Sequence, residues 1–331
     1  MDKRGKQRSQ YGKEKKAEST YGMIPTPRAM SQSVYKAGVT SRPISDTDIG
    51  PALQVLQSKN YKIIDKLGEG NYAKVFRVRS LENRDLAVKI IDLAKTSKNY
   101  RLKFFPREVE VLQKLRHKNI TAIYEIFTAH TMVFIFMEYC SNGTAADLLK
   151  QFKELPDWIC KPFFTQLVEA LHYMHSLNIA HRDIKLENIL LDRQTNPKLT
   201  DFSYSLYVEK DGQGNTILSK TFCGSLPYIP PEILLEKPYD PKAADIWSLG
   251  VCLYILLNNT LPFKFDDIQN MIRCQLNREY KFKARVENSI SDKCKDLLKK
   301  MLEPDFKQRI TTIGIMLHPW LSSRDERPQQ Q

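Results

Sequence analysis

Two groups of residues have types and spacings that chemistry can use. Gly68-Glu69-Gly70-Asn71-Tyr72-Ala73 lies between two alternating apolar runs, with Val75 two residues on and Ala87-Val88-Lys89 in the next run. A loop nearly free of side chains can lay backbone N–H groups over phosphates, and a strand lysine can reach the α and β phosphates. Such a lysine needs a carboxylate to aim it, and Glu108 in the following helical stretch is the candidate. The bland alternative is a glycine hairpin, a surface lysine and a solvated glutamate. The more specific group is His181-Arg182-Asp183-Ile184-Lys185-Leu186-Glu187-Asn188, followed by Asp201-Phe202-Ser203. A string of this kind with a second Asp-Phe pair soon after it rarely arises by chance.

Those groups need elements to position them. Order begins near Tyr61, where two strands flank the glycine turn and a polar turn at Glu82 to Arg84 leads into a third. FPREVEVLQKLRH has helical spacing at Val109, Leu112 and Leu115, and TAIYEIFT and MVFIFMEY read as two further strands. Five strands and one helix thus precede residue 140. Beyond it, Ile159, Phe163, Leu167, Leu171 and Met174 fall on one helical stripe that reads as core packing. Further helices are expected around AADIWSLGVCLYILL, DIQNMIRCQL and ISDKCKDLLKKML. A small β-rich part followed by a larger helical part implies two lobes with a cleft between them.

Composition narrows the class. The 331 residues are 42% hydrophobic, enough for a sizeable core. No apolar run approaches the length of a membrane span, and the basic N-terminus has no apolar stretch behind it to make a secretory signal. The six cysteines (Cys140, Cys160, Cys223, Cys252, Cys274, Cys294) show no metal-ligand spacing and suit a reducing cytosol. A cytoplasmic location is the expectation. Net charge is +13, and the first 59 residues hold 11 Lys and Arg against 5 Asp and Glu. Residues 1–58 read as a basic, disordered tail, either a docking segment or a leader without a specific role. A basic tail can favour nucleic acid, yet no aromatic residue sits within a recognisable RNA or DNA module, so no such partner is expected. No membrane partner is expected either.

With the His181–Asn188 string and Asp201-Phe202, the chain resembles the eukaryotic protein kinases over roughly residues 61–321. Pro230-Pro231-Glu232, DIWSLG from Asp245 to Gly250, and Gln308-Arg309-Ile310 before His318-Pro319-Trp320 add to the likeness. The resemblance implies an α+β, two-lobed kinase fold. It has a five-stranded N-lobe with one helix (61–137), a hinge (138–140), a mainly helical C-lobe (141–321) and a short polar tail (322–331). It also implies ATP and Mg²⁺ as cofactors, with Mn²⁺ suited to the same ligands. The roles that follow come from phosphoryl transfer, where positioning and charge neutralisation do most of the catalysis. Asp183 would accept the substrate proton, Lys185 would neutralise charge on the γ-phosphate, and Asn188 and Asp201 would hold the metal. Lys89 would grip the α and β phosphates, and Glu108 would lock Lys89. Leu67, Gly68, Glu69, Gly70, Asn71, Tyr72, Ala73, Lys74 and Val75 would cover the nucleotide. Ala87 would help wall the adenine, with Met137 at the back and Glu138 to Cys140 as hinge.

Lys185 is the serine/threonine-type residue of the catalytic loop, and Thr221-Phe222-Cys223-Gly224-Ser225 resembles the activation segment of such kinases. Protein substrates bearing Ser or Thr are expected, with Ser225 facing the substrate hydroxyl. An upstream kinase is expected to modify Thr221, whose phosphate would pair with Arg182. DFSYS, LSKTFCGS, PYDPKAADIWSLGV and CKDLLKKMLEPDFKQRI are similar to the testis-specific serine/threonine kinases of the calcium/calmodulin-kinase-like group, which implies a germ-cell signalling role. By resemblance, Asp245 braces the catalytic loop, Glu232 pairs with Arg309, and Trp247 is core. Glu187 can favour arginine before the phosphorylated site, although Thr144 replaces a glutamate common in basophilic kinases. Four positions depart from the general pattern: Ala73, Leu186, Pro230 and Ser203. Ser203 replaces a glycine and restricts flipping of the Asp-Phe unit. Ser203, Ala73 and Pro230 support a second reading, a pseudokinase scaffold that binds nucleotide or partners without turnover.

Overall fold

The computed structural model describes residues 50–70 and 72–322. Asn71, the basic tail up to residue 49 and most of the C-terminal polar tail lie outside the described residues.

Among the described residues a helix comes first. α1 (Pro51–Ser58) starts with Pro at its first turn, where a missing N–H costs nothing. It is followed by β1 (Lys62–Glu69), β2 (Ala73–Arg79) and β3 (Asp85–Asp92). A five-residue π turn (Tyr100–Phe104) then leads into α2 (Phe105–Lys114), β4 (Ile123–Ala129) and β5 (Met132–Glu138). The strands form one antiparallel sheet in the order β1-β2-β3-β5-β4. Because successive side chains alternate between faces, β3 sends Ala87, Lys89 and Ile91 to one side and Leu86, Val88 and Ile90 to the other. The first face packs on α2 through Val111 and Leu112. The second would expose Phe76, Val78, Val88, Phe134 and Phe136 were it not covered by Ala52 and Leu56 of α1.

α1 corrects the expectation of a disordered tail reaching residue 58, since residues 51–58 are helical and belong to the N-lobe. Two-sided cover is also why β3 and β5 read as nearly continuous apolar runs. A chain beginning at residue 50 keeps α1 whole. One beginning at residue 60 should melt lower, and Leu56→Ala should cost about 2–5 kcal/mol as a fully buried leucine. Equal melting temperatures for the two truncations would show that α1 carries no stability.

The helical lobe is built on α3 (Ala145–Phe152), α4 (Asp157–Ser176), and, after four short strands, α5 (Pro231–Leu234), α6 (Pro241–Asn258) and α7 (Ile268–Leu276). The short strands are β6 (Ile179–Ala180), β7 (Ile189–Leu191), β8 (Pro197–Leu199) and β9 (Leu206–Tyr207). α8 (Ala284–Glu287), α9 (Asp292–Met301), α10 (Thr312–Met316) and α11 (Pro319–Ser322) complete it among the described residues. The buried faces are wider than the sequence stripes. α2 buries Glu108, Val111 and Leu112 while Val109 is half-buried, and α4 buries Cys160, Phe164 and Val168 while Ile159 is half-buried. The lobes are tied by the α2–β4 connection, where Leu199 N donates to Asn119 O at 2.9 Å and Thr121 N to Leu199 O at 2.9 Å. No helix among the described residues is long and apolar enough to cross a membrane.

Candidate active site

β3 and α2 face one another across the N-lobe core, and that fixes the first pair. Lys89 Nζ lies 2.8 Å from Glu108 Oε1, both side chains largely shielded from water. The same ammonium lies 3.1 Å from Asp201 Oδ1 and 3.0 Å from Ser203 Oγ. The proximity of Lys89 to Glu108, a sequence guess from spacing, is thus realised in three dimensions. Desolvation works against the Asp201 charge, but Lys89, the Ser203 hydroxyl bond and Lys185 outweigh it and hold the carboxyl well below its usual range.

The second cluster is carried by the loop between β6 and β7. Asp183 Oδ2 stands 2.9 Å from Lys185 Nζ, and its other oxygen accepts from the Ser225 hydroxyl at 2.7 Å. Lys185 Nζ donates to the same Ser225 hydroxyl at 2.9 Å. Burial opposes the Lys185 charge, yet the adjacent Asp183 carboxylate raises its pKa above the ordinary lysine value, so it stays cationic through neutral pH. Asn188 Nδ2 donates to Asp183 O at 2.9 Å and to Oδ2 at 3.1 Å, which leaves the Asn188 amide oxygen as an available acceptor. A carboxylate at Asp201 and an amide oxygen at Asn188 are hard donors that fit a divalent cation such as Mg²⁺.

The loop is braced from below. Asp245, fully buried in α6, accepts from the N–H groups of His181 (2.8 Å) and Arg182 (2.7 Å) and from His175 Nε2 (3.0 Å). His181 Nε2 meets Thr200 O at 3.0 Å while its Nδ1 accepts from Asp183 N at 3.3 Å, which assigns the ring proton to Nε2. These contacts hold Arg182 and Asp201 in left-handed backbone at φ 66° and 62°. Strain of this kind collects at functional sites. Ser203 is not in that conformation, so the departure from glycine imposes no positive-φ penalty there.

The glycine-rich segment is the tip of the β1–β2 hairpin, with Gly68 opposite Val75 and Glu69 opposite Lys74. Gly70 N donates to Ala73 O at 2.8 Å, so alanine at position 73 is accommodated in the turn. Glu69 and Lys74 pair across the tip at 3.6 Å, and Lys66 also reaches Glu69. Tyr72 is exposed, and Asn71 lies outside the described residues. Val75, Ala87 and Met137 are buried in the cluster against which Leu67 packs. At the hinge, Glu138 N donates to Ala122 O, and the Glu138 carboxylate pairs with Lys198 at 2.7 Å. Burial pushes the Cys140 thiol up to about 12, so it stays protonated. Thr144, the N-cap of α3, accepts from Asp147 N and donates to Asp147 Oδ2, a capping role rather than a ligand contact. Sequence reasoning overlooked Tyr100, whose hydroxyl donates to Glu108 Oε2 at 2.9 Å, and Lys198 on Glu138. Neither residue stands in a recognisable motif.

The family description "Protein kinase domain" matches residues 61–321. The chain belongs to the protein kinase family. Testis-specific serine/threonine-protein kinase 2 of Mus musculus is 40% identical over 269 residues, 81% of this chain and 75% of that protein. Testis-specific serine/threonine-protein kinase 3 of Homo sapiens is 39% identical over 270 residues, 81% of this chain and 98% of its own length. NUAK family SNF1-like kinase 2 of Homo sapiens is 37% identical over 263 residues but is covered over only 40% of its length. The chain is therefore a serine/threonine protein kinase, an enzyme that uses ATP and a divalent metal as the family does. In the segment that follows β9, Gly224 has φ +101°, and an added Cβ would lie 2.9 Å from Arg182 O. Only glycine fits that approach.

Proposed function

We propose that this serine/threonine kinase transfers the γ-phosphate of ATP to protein hydroxyls with Asp183 as the base and Mg²⁺ as the metal. The carrying observation is the Ser225 hydroxyl held between Asp183 Oδ1 and Lys185 Nζ. An alcohol at that spot has a carboxylate to take its proton and an ammonium to meet the phosphoryl group. Lys89, aimed by Glu108, grips the α and β phosphates. Asp201 and Asn188 would hold the cation, which would neutralise negative charge on the phosphates. The glycine-rich tip covers the nucleotide, and the segment from Glu138 to Cys140 receives adenine. Ser203 leaves Asp201 on Lys89, which argues against the scaffold reading.

Control is assigned to Thr221. Arg182 is almost fully buried, yet its Nη1 has no hydrogen-bond partner among the described residues. Its charge acts on Cys223 and on Tyr239, and the Tyr239 hydroxyl donates to Thr221 O at 2.8 Å. A phosphate on Thr221 would supply close to two negative charges for that unpartnered Nη1, while Arg182 Nε stays on Tyr204 O. The likeness to testis-specific kinases supports a germ-cell signalling role, and six unpaired thiols suit the cytoplasm. Glu187, near the Tyr228 hydroxyl at the segment's end, favours arginine before the target residue.

The test is Mg²⁺-dependent transfer of labelled γ-phosphate to a generic serine/threonine substrate, before and after treatment with an upstream kinase. Treatment should raise transfer by the wild type several-fold and leave Thr221→Ala unchanged. Equal stimulation of the two would move the control site elsewhere. No transfer by the wild type in either state would overturn the catalytic reading.

A further inference from the structure

Glu108 and Asp201 do not meet Lys89 unaided. Ser203 Oγ lies 2.6 Å from Asp201 Oδ1, 3.0 Å from Lys89 Nζ and 3.3 Å from Glu108 Oε1. On the far side of the same glutamate, the Tyr100 hydroxyl lies 2.9 Å from Oε2. A serine hydroxyl has one proton and two lone pairs. Here it accepts from the ammonium and donates to Asp201, with Glu108 as its longer second contact. Tyr100 can only donate to a carboxylate, and burial beside Glu108 pushes its pKa far above the ordinary phenol value, so the proton stays on it.

We propose that Ser203 and Tyr100 are positioning residues that clamp the Lys89–Glu108–Asp201 cluster in its closed arrangement. This rests on the roles assigned to those three residues above. A glycine at position 203 would leave the two carboxylates joined only through the lysine. The serine hydroxyl gives that lysine a second acceptor beside Asp201, so turning the Asp-Phe unit outward breaks the Lys89–Ser203 hydrogen bond in addition to the Lys89–Asp201 contact. Tyr100 holds the other oxygen of the Glu108 carboxylate, which leaves Oε1 aimed at Lys89. Tyr100 sits in the π turn before α2, and its ring lies 6.3 Å from Phe105, so the clamp joins that turn to the start of the activation segment. The unmodified chain thereby carries its own restraint on both elements that a kinase must align.

Four variants of the full chain test this: Ser203→Ala, Ser203→Gly, Ser203→Thr and Tyr100→Phe. Two readouts apply, KM for ATP against kcat, and hydrogen–deuterium exchange across residues 100–114 and 199–205 without nucleotide. Ala and Gly should behave alike, with faster exchange in both segments and KM for ATP raised on the order of tenfold, the scale of one hydrogen bond to a charged group. Thr should restore wild-type behaviour, and Tyr100→Phe should speed exchange mainly in residues 100–114. If Ala matches the wild type and only Gly opens, backbone restriction rather than the hydroxyl is responsible and the clamp is overturned. Should the extra methyl of Thr prevent folding, the comparison of Ala with Gly and wild type still decides. If the wild type transfers no phosphate, the catalytic reading fails, while the exchange data judge the clamp independently.

Discussion

Asp183→Asn is expected to lower kcat for phosphoryl transfer by about 10²–10⁴-fold, the range for losing a positioned general base. Its carboxylate is the acceptor for three groups at once: the Ser225 hydroxyl, the Lys185 ammonium and the Asn188 amide. An asparagine has the same shape but is no base, and an NH₂ in place of Oδ2 would face two donors, Lys185 and Asn188, so the amide turns its NH₂ toward Ser225 instead. The loss should fall on kcat, with KM for ATP little changed. Lys89→Met, on the same enzyme, should act differently. Removing the ammonium leaves the Glu108 and Asp201 carboxylates facing each other without their shared cation, so KM for ATP should rise together with the fall in kcat. The pH profile separates the two clusters further. Asp201 is held below its usual range and Lys185 above its own, so neither should titrate between pH 5 and 9. Full activity in Asp183→Asn would remove that residue from the mechanism. An acid limb near pH 4 that vanished in Ser203→Ala would contradict the charge state given to Asp201.

Arg309→Met should destabilise the C-lobe more than Glu232→Gln does. Arg309 and Glu232 form a buried bidentate pair at 2.7 and 3.0 Å. The guanidinium also donates to the carbonyls of Glu303, Ala243 and Pro304, so all five of its N–H groups have acceptors. It lies 5.0 Å over the ring of Trp247, itself fully buried and stacked on Phe263. Breaking one partner of a buried pair costs about 3–5 kcal/mol. In Glu232→Gln the cation keeps its three carbonyls. In Arg309→Met those carbonyls are orphaned together with the carboxylate. For a domain of this size the loss corresponds to a fall of roughly 10 °C in Tm. Thermal melting of the two variants checks it, and unchanged melting in Arg309→Met would show that the pair is not structural. Any loss of activity here should track loss of folded protein, in contrast to Asp183→Asn.

The contrast follows from where the two kinds of information reside. Asp183, Lys185 and Asn188 lie within six residues of one another, so the loop they share brings them together almost regardless of what surrounds it. Lys89 and Glu108 were legible because a strand lysine reaching phosphates requires a nearby carboxylate, and the next helix offered one. Ser203 was read as a change in backbone freedom. Its hydroxyl turned out to lie against a lysine 114 positions earlier, a contact that depends on how the lobes close. Tyr100 gave no signal because its π turn has no motif and its partner lies eight residues on, in another element. Thr144 was read as the replacement of a glutamate common in basophilic kinases, and in the fold it caps α3 through Asp147.

By itself the sequence determined the lobed α+β architecture, through the change from period-two strands to helical stripes, and the order of charged groups that phosphoryl transfer needs. The tertiary structure decided which faces are double-covered, which hydroxyls complete the charged cluster and that residues 51–58 pack on the N-lobe sheet. α1 illustrates the reason. Its pattern of Ala52 and Leu56 is too short to stand out among 58 residues read as tail, and it is fixed only by the aromatic outer face of a sheet formed downstream. Local spacing records what a segment can become. Burial against distant residues selects what it does become, because most of a short helix's stability comes from packing its apolar face.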